Sequence, residues 1–313
     1  MEVISLVIPC YNEEESVPLF LSRIVEVEQE LPEGVTFELV FIDDGSSDTT
    51  LKVLREAKQS HNNMRYISFS RNFGKEAAVY AGLEAATGDY LAVIDVDLQH
   101  PPELLIQMYD GIKNEGYDCV ATRRANRKGE PPIRSFFARM FYKLVNKISD
   151  TKMVDAATDY RLMTRQMVDA IKSLKEYNRF SKGLFSWVGF NTKWIEFENV
   201  ERLAGNTKWS FRKLCAYSLD GIIAFSVKPL AISSLMGLLF FLAAIAGIIF
   251  IVVRWILYGD PVAGWPSIVT LVLFVGGVQL FTTGILGQYL AKIYLESKGR
   301  PQYIVKEDSN FRK

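Results

Sequence analysis

Short apolar runs alternate with amphipathic stretches over residues 1–205. The runs are rich in Val, Ile, Phe and Tyr and are nearly continuous, as expected of strands that are covered on both faces. Those predicted as strands are Ile4–Ile8, Phe37–Ile42, Met64–Phe69, Tyr90–Ile94 and Asp118–Thr122. The stretches between them have helical spacing, over Val17–Gln29, Asp48–Gln59, Glu76–Ala86 and Pro102–Asn114. This alternation predicts an α/β domain with a mainly parallel sheet and helices on both faces.

Two later segments contain no charged side chain and are long enough to cross a bilayer. Leu230 to Val253 covers 24 residues, and Trp265 to Leu290 covers 26. A hydrocarbon core of about 30 Å needs roughly 20 helical residues. The alternative is a pair of buried helices in a soluble protein, but uncharged stretches of this length are rare there. The pattern predicts a hairpin of two transmembrane helices.

The charges that flank these segments predict the orientation of the hairpin. Basic residues lie before the first segment and after the second, at Lys208, Arg212, Lys213, Lys228, Lys292, Lys298 and Arg300. The loop between the segments carries Arg254 against Asp260. Because cytoplasmic flanks are enriched in Lys and Arg, both ends of the hairpin are predicted to be cytosolic.

The predicted organisation has four parts. Residues 1–205 form a cytosolic α/β domain, 206–229 an interfacial segment, 230–290 two transmembrane helices and 291–313 a cytosolic tail. The stretch from Lys208 to Leu230 mixes aromatic and basic residues. Such a mixture is typical of an amphipathic helix at a membrane surface, with an ordinary surface helix as the alternative. The chain is therefore predicted to be an integral, multi-pass membrane protein.

Composition gives no support to nucleic-acid binding or to a disulfide framework. Lys plus Arg and Asp plus Glu both total 36, so the formal net charge is zero. Cys10, Cys119 and Cys215 are far apart and form no C-x-x-C pair. Isolated cysteines of this kind suit a reducing compartment.

Charged and amide side chains follow four successive predicted strands. The segments are Pro9–Glu14, Asp43–Asp48, Arg71–Lys75 and Asp95–His100. Each alone has a structural explanation as a helix cap or a turn. In parallel sheets, however, ligands bind outside the carboxyl ends of the strands. The four segments together therefore predict a ligand site at one edge of the sheet.

Asp95 and Asp97 are the strongest metal-binding candidates. They follow a buried strand with one residue between them, so both carboxylates can reach one hard cation. Mg²⁺ or Mn²⁺ is commonly held by one or two carboxylates plus substrate phosphates. The negative charge of a departing nucleoside diphosphate would be neutralised by such an ion.

These segments together resemble the family 2 glycosyltransferases with the GT-A fold, a Rossmann-like arrangement. The likeness is greatest to polyprenyl-phosphate glycosyltransferases related to dolichol-phosphate mannose synthase. It rests on Val7–Glu14, Asp43–Asp48, Arg71–Lys75 and Asp95–Gln99. It covers nearly the whole chain, since bacterial members also end in two membrane spans. The resemblance implies a bacterial plasma-membrane enzyme whose catalytic domain is cytoplasmic, and a homo-oligomer, with a tetramer favoured.

The resemblance also implies roles for individual residues. Nucleotide binding falls to Pro9, Tyr11, Glu13, Asp43, Gly74, Lys75 and Asp95. The metal and diphosphate site is Asp95, Asp97 and Gln99, with Mg²⁺ or Mn²⁺ as cofactor. Lipid-phosphate binding falls to Arg123, Arg134, Ser135 and Arg161, and catalysis to Asp97 and Asp159. Two points stay open: Asp159 either acts near the anomeric carbon or orients Arg161, and His100 stands where many relatives carry Asp.

The chemistry of a lipid phosphate gives the basic residues an independent reason. A phosphate is already an anionic nucleophile, so it needs a positive site more than it needs a base. Dense positive charge is present at Arg123, Arg124, Arg127, Lys128, Arg134 and Arg139. The alternative is a solvated basic loop near anionic headgroups.

The predicted function is transfer of a hexose from a nucleotide sugar to polyprenyl (undecaprenyl) phosphate at the cytoplasmic membrane face, with inversion. By resemblance, UDP-glucose is the first candidate donor and UDP-N-acetylglucosamine the second. A processive polysaccharide synthase is disfavoured because no Q-x-x-R-W motif and only two spans are present. A non-catalytic, nucleotide-sugar-binding scaffold is disfavoured because Asp95, Asp97 and Asp159 are all present. No G-x-G-x-x-G follows a strand, which argues against a dinucleotide-dependent oxidoreductase.

Overall fold

The computed structural model describes residues 1–125, 140, 143, 145–147, 149, 151–152, 154–198, 220–258 and 264–310. The strands are β1 (Glu2–Cys10), β2 (Val35–Asp43), β3 (Met64–Phe69), β4 (Tyr90–Val93), β5 (Cys119–Arg124), β6 (Ala157–Thr164), β7 (Thr192–Phe197) and β8 (Val305–Asp308). The helices are α1 (Ser16–Gln29), α2 (Thr50–Ser60), α3 (Lys75–Ala85), α4 (Leu104–Lys113), α5 (Arg165–Ser173), α6 (Ser181–Trp187), α7 (Lys228–Tyr258) and α8 (Trp265–Ser297). The five strands and four helices predicted for the α/β domain are all present, with ends shifted by a few residues.

The strands form one eight-stranded sheet in the order β7-β5-β6-β4-β1-β2-β3-β8. β1 to β4 are mutually parallel and β5 is parallel to β7, whereas β6 and β8 run antiparallel to their neighbours. The prediction of an α/β domain with a mainly parallel sheet is therefore confirmed.

Two apolar layers cover the faces of the sheet, which explains why the strands read as continuous apolar runs. Successive strand residues face opposite sides, so Ile8 packs in one layer and Val7 in the other. Gly82 of α3 lies against Val7 so closely that an added Cβ would be 2.1 Å from a Val7 methyl group. A side chain at position 82 would therefore push α3 away from the sheet.

β6 enters the sheet from a distant part of the chain and was not predicted. It lies between β4 and β5 and is antiparallel to both, with Val93 opposite Arg161 and Ala121 opposite Arg161. The same β4–β6 register, continued past the end of the ladder, brings Asp159 opposite Asp95. This register joins two halves of the predicted site that are far apart in sequence.

The two long C-terminal helices lie side by side, with the rings of Phe240 and Phe274 5.3 Å apart. Within the described residues, one stretch, Lys228–Gly247, is long and apolar enough to cross a membrane. The prediction of two transmembrane helices is therefore not confirmed. Most of the predicted interfacial segment, residues 206–219, lies outside the described residues.

The last residues of the chain return to the α/β domain. β8 pairs with β3, and Tyr66 donates to Glu307 at 2.7 Å. Arg65 forms an ion pair with Asp308 at 2.6 Å. The segment predicted as a cytosolic tail thus supplies the edge strand of the sheet.

Candidate functional site

The loops that follow β1, β2 and β3 meet at one edge of the sheet, as the sequence predicted. The amide of Asp44 donates to the Cys10 carbonyl at 2.9 Å, and the amide of Ser47 donates to Asn12 Oδ1 at 2.8 Å. Gly45 has φ +64°, and an added Cβ would lie 2.3 Å from the Arg71 carbonyl carbon. Only glycine allows these loops to approach so closely.

The predicted nucleotide-binding residues divide into buried and accessible ones. Asp43 is buried, and its carboxylate accepts from Ser46 N at 3.0 Å and Ser68 Oγ at 2.6 Å. Tyr11 is exposed, and Pro9 and Glu13 are partly exposed beside it. Asp43 therefore holds the loops in place, while the β1 end presents the surface that a ligand would meet.

Asp44 fixes the start of α3. Its carboxylate accepts from Phe73 N and from Gly74 N, the latter at 2.9 Å, and Gly74 has φ +98°. Burial raises the pKa of the Asp44 carboxyl to about 6, against the opposing effect of these two amide donors. The contact sets the direction in which α3 begins, and hence the position of Lys75.

Lys75 joins the two carboxylates that β4 and β6 bring together. Its Nζ lies 2.7 Å from Asp95 Oδ1 and 2.9 Å from Asp159 Oδ2. Burial acts to raise the pKa of Asp159, but the positive charges of Lys75, Lys182 and Arg161 together outweigh it and hold that pKa well below its usual range. Conversely, burial acts to lower the pKa of Lys75, and Asp159 and Asp95 together raise it. Both carboxylates and the ammonium are therefore charged at neutral pH.

The residues after β4 form a tight turn that buries His100. Leu98 has φ +55°, and Gln99 N donates to Asp97 Oδ1 at 3.2 Å. His100 is 6% exposed and contacts the rings of Tyr160 and Phe197. Neither ring nitrogen has a hydrogen-bond partner among the described residues. Its ring is part of the packing of this turn.

The donor set at this turn fits a divalent ion that is shared with a ligand. Asp95 and Asp97 offer hard carboxylate oxygens, as Mg²⁺ and Mn²⁺ prefer. Within the described residues, no group of three or more His, Cys, Asp or Glu side chains is arranged to hold a metal. An ion held by two carboxylates and a diphosphate is compatible with this arrangement.

The predicted lipid-phosphate residues do not all meet at the site. Arg134 and Ser135 lie outside the described residues. Arg123 is at the end of β5, where its guanidinium pairs with Glu196 at 2.6 Å. Arg161 is 3% exposed, donates to the Thr158 carbonyl at 2.9 Å and stacks on Phe185 at 3.9 Å. Through these contacts Arg161 holds the backbone beside Asp159, and its role in lipid-phosphate binding stays a prediction.

One element of the site was missed by the sequence argument. Glu76, next to Lys75, accepts from the amide of Ser181 at 3.0 Å and from its hydroxyl. Burial raises the pKa of Glu76, and the charge of Asp159 adds to this effect. The contact brings α6 to the site. No motif in the sequence around Ser181 predicts this contact.

Residues 5–172 match the model of the family described as Glycosyl transferase family 2. The chain is 44% identical to "Putative glycosyltransferase CsbB" of Bacillus subtilis (strain 168), over 97% of this chain and 92% of that one. It is 42% identical to "Bactoprenol glucosyl transferase" of Shigella phage SfX, over 97% and 98% of the two chains. Among solved structures it is similar to glucosyl-3-phosphoglycerate synthase from Mycobacterium tuberculosis, with 19% identity, a TM-score of 0.46 and coverage of 71% and 78%.

Proposed function

Because this chain belongs to glycosyl transferase family 2, we propose that it transfers glucose from UDP-glucose to polyprenyl phosphate. The observation that carries the proposal is the Asp95–Lys75–Asp159 cluster at the carboxyl edge of the sheet. The proposed acceptor and sugar are those for which the phage relative is named, and that relative is similar over nearly its full length. UDP-N-acetylglucosamine is the second candidate donor.

The nucleoside would lie against the ends of β1, β2 and β3. Pro9, Tyr11 and Glu13 supply the accessible surface there, and Asp43 fixes the loop behind them. Gly74 leaves open space above the start of α3, since no atom lies within 4 Å of an added Cβ. The diphosphate would then extend from Gly74 toward Lys75 and Asp95.

A divalent ion would be held by Asp95 and Asp97, with Gln99 beside them. When bound, it would neutralise charge on the leaving diphosphate. Lys75 places a positive charge next to Asp95, which limits the repulsion between that carboxylate and the diphosphate. The protein residues thus orient the diphosphate and hold its charge close to Lys75.

The acceptor phosphate would attack the anomeric carbon on the side opposite the diphosphate. A phosphate oxygen forms the new bond to C1 while the bond from C1 to the UDP oxygen breaks, so UDP leaves and the configuration inverts. The nucleophile is already ionised and no proton has to be removed. Asp159 is held as a charged carboxylate by Lys75 and would stabilise the positive charge that develops at C1. Arg123, Arg134 and Ser135 remain candidates for acceptor binding.

Membrane attachment through both long helices is part of the proposal. Lys228–Gly247 meets the requirements for a span, and β8, which follows α8, pairs with β3 of the α/β domain. A chain that crossed the membrane once could not return to the same sheet. If α7 spans, α8 would cross as well and give a multi-pass protein. The basic flanks favour a cytoplasmic catalytic domain. The same proposal includes the division of the chain into four parts at residues 205, 229 and 290. It also includes a homo-oligomeric state.

The test is a donor panel on purified full-length protein in phosphatidylcholine nanodiscs that contain undecaprenyl phosphate. Labelled UDP-glucose, UDP-N-acetylglucosamine and GDP-mannose are supplied separately, and label in the lipid phase is counted. We expect label from UDP-glucose, its loss in excess EDTA, and its recovery on adding Mg²⁺ or Mn²⁺. Label from another donor would replace the sugar assignment. Absence of lipid-phase label from every donor would overturn the proposed acceptor.

A further inference from the structure

α6 lies between the candidate site and the part of the chain that leads into α7. At its start, Ser181 is bound by Glu76, the neighbour of Lys75. Two residues on, Gly183 packs against Phe225, where an added Cβ would lie 2.3 Å from the ring. Phe225 belongs to the membrane-proximal segment, residues 220–225, which precedes α7 at Lys228. α6 is thus in contact with the site at one end and with the approach to the membrane along its side.

The side chain of Lys182 is on the face of α6 that covers β6. Phe185 is on that face, since it stacks on the Arg161 guanidinium at 3.9 Å. Residues three apart in a helix are neighbours on one face, so Lys182 lies next to Phe185. Residues two apart in a strand share a side, so Asp159 lies next to Arg161. Lys182 is therefore beside Asp159, as Phe185 is beside Arg161.

The ammonium group of Lys182 is not paired with a carboxylate among the described residues. Lys75 is shared between two carboxylates and Arg123 is paired with Glu196, whereas no salt bridge joins Lys182 to a described residue. Its side chain is half-buried. The pKa of the Asp159 carboxyl is affected most by burial and next by the charge of Lys75. The charge of Lys182 comes third and lowers that pKa. A half-buried ammonium in this position is available to an anionic ligand.

We propose that Lys182 binds the phosphate group of the lipid acceptor. The inference rests on the proposed function and adds a phosphate-binding residue to it. The acceptor is favoured over the donor because the donor's nucleoside side lies at β1 to β3, across β4 from α6. The lipid phosphate, in contrast, must reach Asp159 from the membrane, and α6 borders that route through Gly183 and Phe225.

The test compares Lys182→Gln and Lys182→Arg with a matched control, Lys175→Gln, in full-length protein in phosphatidylcholine nanodiscs. Lys175 is an exposed lysine in the loop before α6. Binding of farnesyl phosphate in the presence of UDP is titrated by calorimetry, and initial rates are measured against undecaprenyl phosphate. We expect Lys182→Gln to weaken farnesyl phosphate binding and to raise the acceptor KM by roughly 10- to 100-fold, as for a lost charge-assisted hydrogen bond. UDP affinity should change less than twofold, and Lys182→Arg should recover most of the loss.

The outcomes separate this proposal from the proposed function. If wild-type protein binds farnesyl phosphate but transfers no sugar, the proposed function fails while the calorimetry still decides on Lys182. Equal acceptor affinity in wild type and Lys182→Gln would overturn the role of Lys182. An equal loss for UDP would assign Lys182 to the donor diphosphate instead. The titration is repeated in nanodiscs that contain phosphatidylglycerol. A loss of acceptor affinity seen only there would mean that Lys182 binds bulk headgroups, which also overturns the proposed role of Lys182. Thermal unfolding within a few degrees of wild type confirms that the variants are folded.

Discussion

Lys75 is the residue on which the geometry of the site depends. Its ammonium lies within 2.9 Å of carboxylates from two different strands, and nothing in Arg71–Lys75 as a sequence indicated the second of them. Removing the ammonium would leave Asp95 and Asp159 facing each other, and two like charges at short range repel strongly in a partly buried place. The diphosphate would then meet two uncompensated negative charges.

We therefore expect Lys75→Met to lower kcat by about 100-fold or more, comparable with the loss of a catalytic electrostatic group. The acceptor KM should change much less, because Lys75 is placed on the donor side of Asp159. Steady-state rates with separately varied donor and acceptor measure both effects. Lys52→Met is the control, since Lys52 is 73% exposed on α2. A kcat within twofold of wild type would show that the bridge is structural only.

The Asp44 carboxyl is expected to make the stability of the protein depend on pH. Its folded-state pKa of about 6 lies above the ordinary value of 3.8. The folded protein therefore holds this proton more tightly than the unfolded chain does. The stabilisation from protonated Asp44 is fully present below about pH 4 and is lost as the pH rises through 6.

Asp44→Asn removes this titration, so its stability relative to wild type should rise between pH 4 and pH 6 and stay constant above pH 7. Thermal unfolding of the detergent-purified protein across pH 4–8 measures the difference. Asp110→Asn, an exposed position on α4, should run parallel to wild type throughout. Parallel curves for Asp44→Asn as well would mean that the buried carboxyl titrates normally.

At the scale of elements, β8 is the strand that ties the end of the chain to the α/β domain. Arg65 and Asp308 are 17% and 10% exposed in their side chains, and Arg65 makes two hydrogen bonds to Asp308, at 3.2 and 2.6 Å. Partly buried pairs of this geometry contribute more than surface pairs, whose median is about 0–1 kcal/mol. Phe69 and Tyr303 stack at 4.9 Å beside the pair.

Asp308→Ala should therefore destabilise the α/β domain by about 1–3 kcal/mol, because it leaves the Arg65 guanidinium without its partner. The expected result is a melting temperature lowered by several degrees, with UDP affinity at low temperature unchanged. Asp169→Ala is the matched control, since Asp169 is 57% exposed and pairs with Lys172 within α5. No difference between the two variants would show that β8 docks without contributing to stability.

At the scale of the whole molecule, the proposed function depends on the proposed membrane topology. The sheet contains both β1 and β8, so both chain ends must lie on the same side of any membrane that α7 and α8 cross. The site must face the cytosol if its donor is a cytosolic nucleotide sugar. The basic residues that flank the hairpin predict that orientation.

Cysteine labelling from outside intact cells tests the orientation. In a background with Cys215→Ser, an impermeant maleimide should label Asp260→Cys and should not label Asn310→Cys. The remaining cysteines, Cys10 and Cys119, are buried and should give little background. The reverse pattern would place the site on the outer face, and labelling of both positions would mean that the chain crosses an odd number of times.

The sequence by itself determined the α/β class, the limits of the first nine elements to within a few residues, and the edge of the sheet at which the site lies. It could do so because apolar periodicity is local, and because parallel strands all end at the same edge. Asp95 and Asp97 could therefore be placed at that edge without a structure, and their role in metal binding stays a prediction. The family could also be inferred, since its motifs lie at these strand ends.

Only the tertiary structure decided which distant residues complete the site. The β4–β6 register brings Asp159 to Lys75 and turns Arg161 inward onto Phe185. The docking of α6 brings Ser181 to Glu76, and β8 returns from the far end of the chain. Antiparallel pairing between strands that are remote in sequence is set by register and packing over the whole sheet. A local pattern of apolar and polar residues carries no information about such a register, which is why these contacts could not be read from it.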